Sequence, residues 1–281
     1  MIDAHVHFWD PARGDYGWLQ PDDPLWRAYL PADLEPHLGS HRIRGCIAVQ
    51  AAATRAESDF LLGLARTHRF IHGVVGWIDL AAPSALAEIA ERAGNPLFVG
   101  VRPMLQDLAD PAWIIGEAPM IALGAIAAAG LIFDALIRAD QIAVIEFVAE
   151  RHHDLVIVLD HAGKPPFGDE EAMKRWRQSL ASLARHKNVY CKISGLFTEL
   201  SPDTSSVVID SCIQELIHQF GGERLIWGSD WPVATTAVTY GDWLAVCQQQ
   251  IRALAPEHYD AIFGGTAQQV YRLPGAEGPR F

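Results

Sequence analysis

The amino-acid sequence predicts an α/β fold, a (β/α)₈ TIM barrel in a single domain over residues 1–281, with a long aromatic-rich loop after the first strand. Three observations carry this. The length of 281 residues fits the roughly 250 that such a barrel needs. Half of the residues are hydrophobic and a fifth are charged, which supplies a large core beneath a hydrated surface. Eight short apolar runs alternate with helix-length amphipathic stretches, the pattern of repeated strand–helix units. An open doubly wound sheet is the alternative that the same alternation allows.

The runs, in order, are Ile2–Phe8, Ile43–Ala51, Ile71–Asp79, Leu97–Met104, Leu131–Ile137, Leu155–His161, Asn188–Leu196 and Arg224–Pro232. Each is rich in β-branched residues and nearly continuous in hydrophobic character. A strand covered on both faces requires this, so the runs point to parallel pairing. Between them, Glu57–His68, Pro83–Ala93, Gln141–Arg151, Glu170–His186 and Val207–Phe220 place apolar residues at helical spacing. The connection from Trp9 to Arg42 is far longer than an ordinary βα loop. It carries Trp9, Tyr16, Trp18, Trp26 and Tyr29 among prolines and acids. Because it follows strand 1, it is expected over the carboxyl-terminal mouth of the barrel, where active sites sit. Most of these aromatics are expected to pack the loop down, and one or two to line a pocket. The Gly- and Pro-rich tail, Leu273–Phe281, is expected to wrap the surface or mediate contacts.

The formal net charge of −12 argues against nucleic acid or an anionic membrane as the main partner, since both call for a basic surface. The four cysteines, Cys46, Cys191, Cys212 and Cys247, form no CxxC pair and read as reduced, buried thiols. The chain opens with MIDAHVHF, with neither a basic region nor an apolar signal core. The longest membrane-span candidate, Pro119–Ile137, is broken by Gly124, Gly130 and Asp134. These features predict a cytoplasmic protein whose partner is a small molecule, with a homodimer left open.

Chemistry concentrates in three segments. In Asp3-Ala4-His5-Val6-His7, alternation along a strand points His5 and His7 the same way. Two inward imidazoles at the end of strand 1 make half of a metal site or a polarising pair. Two hydrogen-bonded core histidines are the plainer alternative. In Asp160-His161-Ala162-Gly163-Lys164-Pro165, His161 falls where strand 6 gives way to a turn, at the same mouth. In Trp227-Gly228-Ser229-Asp230-Trp231-Pro232, Asp230 ends strand 8, the neighbour of strand 1 in a closed barrel. A carboxylate there can bind a metal, take a proton from water, or do both in turn. Around this set, Arg102 at the end of run four could hold a carboxylate or carbonyl oxygen. Lys192 and Ser194 share a face of run seven and either reach substrate or, for Lys192, form a structural ion pair. Asp134 is equally ambiguous, and Asp79 reads as a helix cap.

The segments DAHVHFWD, YGWL, YLPADLEPHL, GVRPML, DHAGKP, KISGL and WGSDWPV resemble the amidohydrolase-2 branch of the amidohydrolase superfamily. Within it, the chain is most similar to the group holding sugar-acid lactonases, of the L-fuconolactonase and L-rhamnonolactonase types, and 2-pyrone-4,6-dicarboxylate lactonase. The likeness runs from strand 1 to Thr266–Tyr271. It implies a (β/α)₈ fold, hydrolysis of a lactone, and a reacting shell of His5, His7, His161 and Asp230. From their places at the mouth, Arg102, Lys192, Trp231 and Trp26 are expected against the substrate. Two-metal members of the superfamily carry a carboxylated lysine on strand 4 and a histidine on strand 5. Here those strands offer Arg102 and Asp134, which argues against a binuclear site. Members of the group work with one divalent ion, here zinc on His5, His7, His161 and Asp230, or without metal. A decarboxylase of the same superfamily and a non-catalytic small-molecule-binding barrel are the rival functions.

Overall fold

The computed structural model describes residues 1–201 and 203–273. Eight strands run in parallel and pair in chain order: β1 (Asp3–Val6), β2 (Cys46–Val49), β3 (Ile71–Gly76), β4 (Phe98–Val101), β5 (Ile132–Ala135), β6 (Ile157–Leu159), β7 (Val189–Ile193) and β8 (Leu225–Trp227). A parallel bridge between Val6 and Trp231 joins the last strand to the first. The sheet therefore closes, and the open-sheet alternative falls.

Side-chain alternation divides the core in two. Ile47, Val49, Val75, Val99, Ile132, Val158 and Ile226 point inward and, with Ile2 and Ala4, fill the lower barrel. Cys46, Ala48, Val74, Val101, Phe133, Leu159, Cys191, Ile193 and Trp227 point outward into the layer under the helices. Both faces of every strand are thus dry, which is why the runs read as almost unbroken apolar sequence. The four cysteines are buried and free.

The outer ring is α1 (Pro31–His41), α2 (Arg55–Thr67), α3 (Ala85–Ala93), α4 (Glu117–Ala128), α5 (Ile142–Arg151), α6 (Glu170–Leu183), α7 (Val207–Phe220) and α8 (Tyr240–Leu254). Thr54, Asp169 and Thr239 start α2, α6 and α8 by accepting a backbone N–H from the first turn. Asp79 instead bonds the N–H of Ala81, in the turn before α3. A ninth helix, α9 (Thr266–Val270), turns Ala267, Val270 and Tyr271 into the interior cluster and plugs the amino-terminal end. Leu273 joins that plug, and the rest of the predicted surface tail lies outside the described residues. No helix among the described residues is long and apolar enough to cross a membrane. Pro119–Ile137, weighed as a span, is α4 followed by β5.

The segment Trp9–Arg42 corrects the sequence reading in its second half, which is helix α1 rather than loop. Pro31 sits in its first turn, where a missing N–H is harmless, and Pro36 within it masks the helical pattern. The first half is held down by its aromatics. Trp9 and Tyr29 exchange backbone hydrogen bonds of 3.0 and 2.8 Å, and their rings meet at 5.1 Å. Tyr16 donates from its hydroxyl to Glu57 at 2.8 Å, and Glu57 also accepts the N–H of Ala51.

Burial raises the Glu57 carboxyl to about 7, despite its bonds to Ala51 and Tyr16 and the nearby Arg13. A raised acid favours the fold most at low pH, and that advantage shrinks as pH climbs from about 4.5 to about 7. Over that window Glu57→Gln is expected to gain on the wild type by about 3 kcal/mol, at ~1.4 kcal/mol per pH unit. Urea unfolding of both proteins on either side of the window checks this. A stability difference that does not change with pH would show Glu57 ionised in the fold throughout.

Candidate active site

The site grows out of an irregularity in β1. Asp3 pairs with Cys46 and Val6 with Ala48, so Ala4 and His5 together oppose Ile47. Such a bulge resets the alternation. Ala4 packs in the inner cluster and Val6 and Phe8 in the outer one, while His5 and His7 both face the barrel axis. Their Nε2 atoms lie 3.2 Å apart, and His7 donates from Nδ1 to the carbonyl of Val49 at 2.8 Å.

His161 follows β6 in a stretch where His161, Ala162, Gly163 and Lys164 all take left-handed backbone, with φ of 51°, 54°, 66° and 53°. Only glycine adopts this freely. The turn aims the His161 ring back over the mouth, where Nδ1 lies 3.0 Å from Ser194 Oγ. Trp176 pins the turn from below by donating to the carbonyl of Ala162 at 2.9 Å. Gly195, at φ 61°, passes so close that a Cβ there would sit 2.5 Å from His161 Nδ1 and 2.9 Å from Asp230 Oδ2.

Asp230 is also left-handed, with φ 59°. Its N–H donates to the carbonyl of His5 at 2.9 Å, and the N–H of His7 donates to the carbonyl of Trp231 at 2.7 Å. Oδ1 of Asp230 then lies 3.3 Å from His7 Nε2 and 3.7 Å from His5 Nε2. Burial would raise this carboxyl, but the imidazoles of His161, His7 and His5 outweigh burial and hold it below the usual carboxylate range. Burial also lowers His161, and burial with the Lys192 ammonium holds His5 well below the ordinary imidazole range.

A fully buried ionic layer supports these rings. Lys192 Nζ lies 2.6 Å from Asp134 Oδ2, 3.0 Å from Asp160 Oδ1 and 3.2 Å from His5 Nδ1. Tyr271, rising from the plug below, donates its hydroxyl to Asp134 Oδ1 at 2.8 Å. Arg102 Nη1 lies 3.4 Å from both Asp160 Oδ2 and His5 Nε2. Arg102 is fixed by Gln50, which accepts from it through its carbonyl and donates its side-chain amide to the Arg102 carbonyl.

Above the layer opens a cavity of about 200 Å³, lined by His7, His161, Asp230 and Arg102. Met104, Leu136 and Val233 give it an apolar wall, with Trp9 and Trp18 from the strand-1 loop. The other residues predicted to meet substrate lie elsewhere. Lys192 is wholly buried beneath the imidazoles, Trp231 packs between Phe8 and Tyr29, and Trp26 is 40% exposed; none of the three lines the cavity. Sequence reasoning missed Gln50, Asp160 and Tyr271 as supports of the site. The doublet Asp160-His161 was visible, but only the fold shows the two side chains serving different partners.

His5, His161 and Asp230 each offer a ligand atom, all within 4.8 Å of one another, and His7 Nε2 borders the same space. Imidazoles and a carboxylate are the donors that zinc takes, so these residues fit a divalent ion.

The amidohydrolase family model matches residues 2–273. An L-fucono-1,5-lactonase of Burkholderia ambifaria is 40% identical, over 99% of this chain and 97% of its own length. A second, from Burkholderia multivorans, is 36% identical over 97% of this chain and 96% of its own. A crystal structure of an amidohydrolase from Burkholderia multivorans with bound zinc superposes with a TM-score of 0.92, at 36% identity, over 97% of this chain and 99% of that one. The chain belongs to the amidohydrolase family.

Gly195→Ala is expected to keep the barrel's circular dichroism and to lose roughly 1–2 kcal/mol for the left-handed backbone. It is also expected to depress turnover sharply, because the added carbon displaces His161. Wild-type turnover in a folded Gly195→Ala protein would place His161 outside the reacting set.

Proposed function

We propose that this protein is a lactonase that opens the six-membered ring of a sugar-acid lactone, with L-fucono-1,5-lactone the first substrate to assay. One observation carries the reading: the buried Asp230 carboxylate lies 3.3 Å from His7 Nε2 and, with His7, His161 and Arg102, lines a cavity of about 200 Å³. That volume is below the roughly 300–1,000 Å³ of drug-sized sites, which suits a single hydroxylated ring. The full-length likeness to two proteins named L-fucono-1,5-lactonase supports the substrate class.

In this reading Asp230 takes a proton from the water that attacks the lactone carbonyl. Arg102, at the edge of the cavity, offers N–H groups to the oxygen that becomes negative, usually the largest catalytic contribution. When the acyl–oxygen bond breaks, the same proton passes from Asp230 to the departing ring oxygen, which leaves a hydroxy acid. The apolar wall takes the carbon face of the sugar, and Gln106, Asp107, Thr198 and Glu199 meet its hydroxyls. His5, His7, His161 and Asp230 would hold a divalent ion, which would supply Lewis-acid polarisation of the carbonyl when bound.

A dicarboxylate lactone fits less well. The cations on the cavity are Arg102 and Lys164, the latter tied to Glu199 at 3.1 Å, while Asp107 and Glu199 add negative charge.

Acid release from a panel of aldono-1,4- and 1,5-lactones and 2-pyrone-4,6-dicarboxylate, before and after chelation, tests the reading. Turnover is expected on the 1,5-lactones, and silence across the panel by folded, metal-replete protein would overturn it. Asp230→Asn is expected to lose about 10²–10⁴-fold in turnover, the span of one general base, with melting unchanged to within a few degrees. A variant near wild-type rate would remove Asp230 from the mechanism.

A further inference from the structure

A second cavity opens beside the first at the mouth of the barrel. It measures about 900 Å³, against about 200 Å³ for the cavity lined by Asp230 and the imidazoles. Gln106, Asp107, Lys164 and Glu199 line both and so form the wall between them. They come from the loops after β4, β6 and β7, which makes the two spaces halves of one trough over the strand ends. Across the wall, Lys164 Nζ lies 3.1 Å from Glu199 Oε1, with each side chain about a quarter exposed. An ion pair this open to water adds little to stability, so it can be parted at small cost.

The outer space suits a neutral polar group better than an anion. Arg138, Lys164 and Arg175 line it, but so do Asp107, Asp140 and Glu199, and the signs cancel. Arg138 is already engaged, donating to the carbonyl of Gln106 and lying 3.5 Å from Asp140. A phosphate or a second carboxylate would meet repulsion there as well as attraction. Sugar hydroxyls both donate and accept, so they suit guanidinium and carboxylate alike. Pro165, Pro166 and Phe167 add an apolar surface for the carbon face of a ring.

We propose that the outer space is a second sugar subsite, and that the Lys164–Glu199 pair is the specificity-determining partition in front of it. Closed, the pair confines the inner cavity to a single ring. Parted, with both side chains turned aside, it lets a lactone that carries a second, neutral sugar lie across both spaces. The bond that breaks is still the acyl–oxygen bond of the lactone, and the glycosidic bond is untouched. This substrate class deepens the lactonase reading and rests on it.

L-Fucono-1,5-lactone and its glucosyl derivatives at O2, O3 and O4 hold the reacting ring constant, and kcat/KM is measured for each. The wild type is expected to open at least one derivative with kcat/KM within roughly tenfold of the bare lactone. Ala143 is exposed and lines only the outer space, so Ala143→Trp fills that space without reaching the inner cavity. This variant is expected to keep the bare lactone within about twofold of wild type and to cut the best derivative by roughly tenfold or more. Glu199→Ala removes the partition and is expected to raise the ratio of derivative to bare lactone by roughly fivefold or more. Turnover of the bare lactone alone, or a folded Ala143→Trp protein that treats both substrates equally, would overturn the second subsite. A ratio unmoved in Glu199→Ala would overturn the partition. Calorimetric binding of the ring-opened acids, bare and glucosylated L-fuconate, separates these outcomes from the fate of the lactonase. Silence on every lactone, with tighter binding of a glucosylated acid that Ala143→Trp abolishes, would sink only the lactonase. Silence with no preference for a glucosylated acid would sink both.

Discussion

The seam between β8 and β1 governs both the closure of the barrel and the existence of the site. Strand β8 has only three residues, too few to run beside β1 to the mouth in regular geometry. The chain instead turns at Asp230 and passes its N–H to the carbonyl of His5 and the carbonyl of Trp231 to the N–H of His7. The turn that completes the ring also sets the Asp230 carboxylate beside the two imidazoles. Asp3 stitches the seam from the other side, accepting from the backbone of Ser229 and His5 and from the Tyr240 hydroxyl. Burial lifts the Asp3 carboxyl to about 6 even with those bonds. The strands approach so closely that a Cβ at Gly228 would lie 2.6 Å from that of His5. A larger residue there would part β8 from β1 and separate the carboxylate from the histidines.

The layer below the seam is held by balance more than by attraction. Two cations, Arg102 and Lys192, stand against two carboxylates, Asp134 and Asp160, all buried. Buried pairs of this kind add little net stability, yet removing one member costs about 3–5 kcal/mol because its partner is stranded. Their positional effect is larger. Lys192 and Asp160 meet at the back of His5, and Arg102 reaches both His5 and Asp160. The ring orientation of His5 therefore follows from a network anchored as far down as Tyr271 in the carboxyl-terminal plug. This couples the plug to the mouth through the filled interior of the barrel.

The barrel was legible because burial on both faces writes itself into sequence as unbroken apolar runs, and all eight appear as strands. Helix α1 was not legible, since Pro36 and a scarcity of apolar residues hide its period; its start is fixed by Pro31 and the buried Leu34 and Leu38. The convergence of His5, His7, His161 and Asp230 was legible because each sits at or just past a strand end, and a closed barrel brings strand ends together. The lining of the cavity was less so. Trp26 and Trp231 look alike in sequence, but which tryptophan faces the cavity depends on loop path, and the path selects Trp9 and Trp18. Lys192 read equally as substrate contact or ion pair, and only the depth of its strand position decides for the latter.

His161 and Asp230 share a feature that sequence periodicity cannot show: both hold left-handed backbone without being glycine. Each such residue costs of order 1–2 kcal/mol, and Ala162 and Lys164 add to the strain. Glycine at these positions would relieve it without altering the chain path, but would delete the imidazole and the carboxylate. The strain is instead held by local bonds. The N–H of Lys164 returns to the carbonyl of His161 at 2.9 Å, and the N–H of Ala234 to the carbonyl of Asp230 at 2.9 Å. Regular strand geometry at either residue would swing its side chain away from the shared axis. The strained turns are what let two short strands deliver functional groups to one point above a close-packed core.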